Sequence, residues 1–121
     1  QAAEAAELLA GPADAPETIL VGDINSDADT EGETYETFLA GGFTDAWTEL
    51  RPSDPGFTWG FDPLTDPGAT LSQRLDVVLY RGDFVPESIS LVGDQPAGRT
   101  PSGLWPSDHA GVVATLSLPS R

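Results

Sequence analysis

Three short segments hold the side chains that could do chemistry. In Thr18-Ile19-Leu20-Val21-Gly22-Asp23-Ile24-Asn25 an apolar run stops at Gly22 and polar side chains begin. Asp23 and Asn25 are two apart, so if strand geometry persists, a carboxylate and a carboxamide leave the same face and can converge on one ligand. The alternative is that Asp and Asn gather at strand ends because they favour turns. Asp76 lies between Leu75 and Val77. A carboxylate there pays a desolvation cost unless it is paired, and either Arg74 or an imidazole could be the partner. Ser107-Asp108-His109 contains the only histidine of the chain. A solvated loop His beside a solvated Asp is its plainest reading. A buried Asp that holds a His in one tautomer and favours its protonated form is, however, a recurring device.

The elements that must position these residues follow from pattern. Gln1–Ala10 is rich in Ala, Glu and Leu and is expected to be a helix stopped by Gly11-Pro12. Ile19-Leu20-Val21 reads as a strand buried on both faces. Thr30 and Glu33 fit a capping box opening a short helix through Tyr35, Phe38 and Leu39, which Gly41-Gly42 ends. Phe43–Leu50 fits another helical turn or two, and Gly56–Trp59 a short extended piece. Leu75–Tyr80 reads as a strand, with Leu75, Val77 and Leu79 on one face and Asp76, Val78 and Tyr80 on the other. After a turn at Arg81-Gly82-Asp83, Phe84–Val92 is a less regular strand because of Pro86. Gly93–Pro106 is a polar loop, and Gly111–Leu118 alternates as a closing strand.

A chain of 121 residues, 39% hydrophobic, suits one ordinary domain over residues 1–121. Twenty acidic residues against five arginines and no lysine give a net charge of -15. That field disfavours non-specific binding to polyanions and attracts divalent cations. With no cysteine, disulfides and thiolate metal sites are excluded. No apolar stretch is long enough to span a bilayer, and no signal-peptide pattern opens the chain. The compartment is not legible, an extracellular one being slightly favoured. The chain opens on Gln1 and contains no Met, so its start is not expected to be a translation start.

Taken in order, Gly22-Asp23-Ile24-Asn25-Ser26, Thr58-Trp59, Arg74-Leu75-Asp76-Val77-Val78-Leu79 and Ser107-Asp108-His109 closely resemble the carboxy-terminal half of the endonuclease/exonuclease/phosphatase superfamily, the DNase I-like fold. The resemblance implies an α/β (α+β) architecture: part of a four-layer β-sandwich flanked by helices, mainly one of its two sheets. It also implies a metal-dependent phosphoesterase. Asp23 resembles the Asp that orients or deprotonates the attacking water, and Asn25 the Asn that hydrogen-bonds the scissile phosphate. Asp76 resembles the Asp that fixes the catalytic His, His109 that His, and Asp108 a metal-site carboxylate, with Asp23 shared between the water and the metal. Trp59 matches an element near the site and is divided between core packing and substrate contact. The implied cofactor is magnesium or manganese, with calcium possible, because hydrolysis of a phosphoester needs a hard cation to offset the oxygens' charge. The substrate could be a nucleic acid, a phospholipid or a small phosphate ester.

Family positions from the first half of such a domain, an early Asn, a metal-ligating Glu and usually a second His, have no counterpart here. The chain is therefore expected to be incomplete: inactive alone, partnered by the amino-terminal half of the same domain, and exposing a sheet face otherwise buried. A competing reading is a calcium-binding structural module using Asp23–Glu31, with Asp23, Asn25 and Asp27 at alternate positions. It departs from the calcium loop at Ala28, where Gly is expected, at Thr34, where the bidentate Glu is expected, and in being preceded by a strand. A third reading is a catalytically dead interaction domain on the same fold, which the retained Asp23, Asn25, Asp76, Asp108 and His109 do not favour.

Overall fold

The computed structural model describes residues 2–9 and 16–120, and these form an α+β arrangement with antiparallel sheets. In order come α1 (Ala2–Leu9), β1 (Thr18–Asp23), α2 (Glu33–Ala40), β2 (Thr44–Asp45), α3 (Ala46–Leu50), β3 (Asp76–Arg81), β4 (Val85–Val92) and β5 (Gly111–Ser117). The expected stop at Gly11-Pro12 lies outside the described residues.

β3 is the organising strand. Its alternating apolar residues can be buried on both faces, and both faces are used. Val77 and Leu79 enter a cluster with Ala28, Tyr35, Phe38 and Phe43 from the α2 side. Val78 and Tyr80 enter a second with Ala46, Trp47 and Ile89. Leu79 is fully buried, a side-chain burial worth roughly 2 kcal/mol. β3 stands between β1 and β2, antiparallel to both. Its register with β1 runs from Thr18 opposite Arg81 to Asp23 opposite Asp76. β4 and β5 form a separate antiparallel pair whose register slips between Pro86 and Ser88, as expected of a strand that contains a residue with no N–H to donate.

Several expectations need correction. Ile19 and Val21 are 46% and 66% exposed, so β1 is covered on one face rather than two; Leu20 packs against the α2-side cluster. The α2 N-cap is Gly32, with no side-chain cap, so Thr30 and Glu33 make no capping box. Phe43–Leu50 is not one helix: Thr44 and Asp45 pair with β3 before α3 begins, and Asp45 caps α3 by accepting from the Trp47 N–H at 2.9 Å.

Candidate active site

The β1–β3 ladder ends on two aspartates. Because Asp23 is directly opposite Asp76, both side chains leave the same face of the sheet. The approach to β5 brings His109 to that face. Its Nδ1 is 2.7 Å from Asp76 Oδ2, and its Nε2 is 3.9 Å from Asp23 Oδ2. The first distance is a charge-assisted hydrogen bond and the second an ion-pair separation too long for one. Partial burial pulls the imidazole pKa down. The hydrogen bond to Asp76 and the charges of Asp76, Asp23 and Asp108 outweigh it and leave the pKa above its ordinary 6.5.

The segment Thr58–Phe61 ties the parts together. Thr58 is fully buried, its Oγ1 accepts from the N–H groups of Leu75 and Asp76 at 3.0 Å each, and its carbonyl accepts from the Ala110 N–H at 2.7 Å. Trp59 bridges to both Gln73 and His109. The Gly60 and Phe61 N–H groups donate to the Asp108 carbonyl at 3.1 and 3.2 Å. Gly60 has φ +144°, and a Cβ there would lie 2.4 Å from the Thr70 carbonyl oxygen, so only glycine fits this crossing. The half-buried Trp59 donates its indole N–H to Asp108 Oδ2 at 3.4 Å, and Ser107 caps the turn by accepting from the His109 N–H at 3.0 Å.

The remaining expected residues fall as follows. Strand geometry does not continue to Asn25: it has φ +47° and donates its backbone N–H to Asp23 Oδ1 at 2.8 Å. Asp23 and Asn25 are thus joined by an Asx-type turn rather than by a shared strand face. Gly22, at φ +138°, permits this exit from the strand. Arg74 does not pair with Asp76. Its guanidinium pairs with Asp45, and both side chains are almost fully buried. Asp45 also accepts from the Tyr35 hydroxyl at 2.8 Å and the Thr48 hydroxyl at 3.2 Å. Burial, with the charge and hydrogen bond of Asp45, raises the Tyr35 pKa above 10.0. Asp27 supports the fold, its Oδ1 accepting from the N–H groups of Arg74 at 3.0 Å and Asp29 at 3.1 Å. That commits the central carboxylate of the supposed calcium loop to backbone donors.

Sequence reasoning missed Asp45, though an Asp directly before Ala46-Trp47 carries an N-cap signal. Nothing in the sequence signals that the Thr58 hydroxyl holds the start of β3.

The donor set does not make a complete metal centre. Among the described residues no group of three or more His, Cys, Asp or Glu side chains is arranged to hold a metal ion. Asp108 accepts from the Trp59 indole through one oxygen and from the Ser107 hydroxyl through the other, each at 3.4 Å, and Asp23 is committed through one oxygen to Asn25.

No protein-family model matches the chain. Similarity to a curated protein supports the endonuclease/exonuclease/phosphatase superfamily as the class. That relative is tyrosyl-DNA phosphodiesterase 2 of Rattus norvegicus, 33% identical over 101 residues, covering 74% of this chain and 26% of the relative. The chain thus spans about a quarter of the length of the curated relative it matches.

Proposed function

We propose that this chain carries one wall of a phosphodiesterase site, with His109 as the donor to a non-bridging phosphate oxygen. The observation that carries the reading is His109 held between Asp76 and Asp23 at the end of the β1–β3 ladder. The likeness to a phosphodiesterase supports the same chemistry.

Asp76 accepts the Nδ1 proton, which fixes the ring and directs Nε2 away from β3. A protonated Nε2 then donates to the oxygen on which charge accumulates, and the field of the flanking carboxylates keeps that proton available near neutrality. Asp23 keeps Oδ2 for the attacking water, which it orients or deprotonates, while Oδ1 holds the Asn25 turn. The Asn25 carboxamide is the second donor to the phosphate, and Trp59, whose indole N–H reaches Asp108, offers an aromatic surface for the substrate.

Magnesium or manganese would neutralise phosphate charge, a need made acute by a chain with net charge -15. Asp23 and Asp108 are carboxylates for such an ion, and the rest of its ligands belong to sequence preceding Gln1, the amino-terminal half of the same domain. On this reading the chain alone is inactive. The substrate class is a nucleic-acid phosphodiester, in line with the relative's printed activity on tyrosyl-DNA; a phospholipid or small phosphate ester is the competing class.

The test is hydrolysis of a tyrosyl oligonucleotide and of bis(p-nitrophenyl) phosphate by a chain extended upstream of Gln1, with magnesium titrated from zero. His109→Ala and Asp23→Asn are each expected to lower kcat by about 10²- to 10⁴-fold. Undiminished turnover in both variants would refute the assignment.

A further inference from the structure

From its four hydrogen bonds we infer that Thr58 is the positioning residue of this site, setting the reach between Asp76 and His109 through its hydroxyl oxygen. The inference rests on the reading of Asp76 and His109 as a working pair.

Asp76 and His109 are 33 residues apart and belong to different sheets, β3 in one and the approach to β5 in the other. No backbone ladder joins β3 to β5, so their 2.7 Å hydrogen bond needs another brace. Thr58 supplies one from each side. Its Oγ1 takes the N–H of Asp76 itself and that of Leu75, and its carbonyl takes the N–H of Ala110, the neighbour of His109. Its own N–H donates to the Gln73 carbonyl at 2.7 Å, which fixes the segment against the chain entering β3. One fully buried residue therefore hydrogen-bonds the backbone of Asp76 itself and of the residue next to His109. A hydroxyl oxygen can accept two hydrogen bonds and so serve both N–H groups, whereas an apolar side chain of the same shape leaves both without a partner in the interior. Leu75 and Asp76 are also where β3 meets Ile24 and Asp23, so a shift there moves both carboxylates relative to the imidazole.

The experiment compares the unaltered chain with Thr58→Val, which keeps the shape and removes the acceptor, and Thr58→Ser, which keeps the acceptor and removes the methyl. The readout is the ¹⁵N chemical shifts of the His109 ring in metal-free protein, with the backbone ¹H–¹⁵N spectrum reporting the fold. The unaltered chain and Thr58→Ser are expected to show a protonated, hydrogen-bonded Nδ1. A folded Thr58→Val is expected to show a ring exchanging tautomers as in a solvated imidazole. The inference is overturned if folded Thr58→Val keeps the pattern of the unaltered chain, or if Thr58→Ser loses it, since the methyl would then be what matters. Should Thr58→Val not fold, the Ser variant decides alone. These signals are read without substrate, so a failure to hydrolyse phosphodiesters would overturn the phosphoesterase reading and leave this one standing. In an active, upstream-extended chain, Thr58→Val is expected to lower kcat at unchanged KM, with activity restored in Thr58→Ser.

Discussion

Asp23 and Asp76 are direct cross-strand partners at the end of the β1–β3 ladder, and the imidazole of His109 stands between their carboxylates. Like charges in such a position repel, and a protonated imidazole offsets that repulsion. The His109 pKa is raised above 6.5 in the folded chain, partial burial being outweighed by Asp76, Asp23 and Asp108. A raised folded pKa means that the charged ring contributes stability in full below the unfolded value near 6.5, and that this contribution is lost as pH rises through the folded value. In metal-free protein, proton NMR of the His109 ring should give a midpoint above 6.5. Asp76→Asn should lower that midpoint and flatten the stability profile across the same window; a midpoint unmoved by Asp76→Asn would contradict the assignment.

Asp45 and Arg74 form an ion pair in which both side chains are almost fully buried. Removing one partner of a buried ion pair leaves the other charged and unpaired, at a cost of about 3–5 kcal/mol. Asp45→Ala should lose that much in urea unfolding, because Arg74, Tyr35 and Thr48 all lose an acceptor. Tyr35→Phe removes one hydrogen bond and should cost about 1 kcal/mol. Equal losses in the two variants would show that Asp45 is not the hub of the network.

Gly60 and Gly93 separate strain from collision. Both have positive φ, but a Cβ at Gly60 meets the Thr70 carbonyl oxygen at 2.4 Å, while at Gly93 nothing lies within 4 Å. Gly93→Ala should cost about 1 kcal/mol from backbone conformation alone. Gly60→Ala should cost more and should also disturb the Asp108 loop that Gly60 holds. Matching melting temperatures for the two variants would remove the argument from close approach.

Trp59 tests whether the indole N–H is structural. Its contact with Asp108 is 3.4 Å long and lies near the surface, so Trp59→Phe should change stability by less than about 0.5 kcal/mol. A loss of hydrolysis by the extended chain carrying this variant, with the melting temperature unchanged, would place Trp59 on the substrate.

β3 was readable because Leu75–Tyr80 is apolar at almost every position, and a strand buried on both faces leaves that trace. The likeness of the spaced Asp, Asn and His motifs to a known superfamily is what joined Asp76 with His109; local pattern left Arg74 as an equal candidate. Arg74 went to Asp45 because β2 places a carboxylate in the core, and a two-residue strand leaves no periodic signal. The Asn25 turn escaped notice for a related reason: Asp23 bonds its own backbone two residues on, a local competition with strand geometry that composition does not display. The exposure of Ile19 and Val21 depends on what covers β1, which only the tertiary arrangement reports.

The brace at Thr58 has a kinetic consequence. Asp23, Asp76 and His109 come from the early, middle and late parts of the chain, and Thr58 reaches 17 and 18 residues forward to Leu75 and Asp76. Contacts so distant in sequence are closed only after the entropy of long loops has been overcome, which slows their formation. The α2-side cluster on β3 draws on no residue of β4 or β5 and can form before β5 docks, whereas Val112, Ala114 and Leu116 of β5 pack against the second. The imidazole is therefore expected to reach its carboxylates last, and during refolding the recovery of the His109 ring signal should lag behind the recovery of secondary structure.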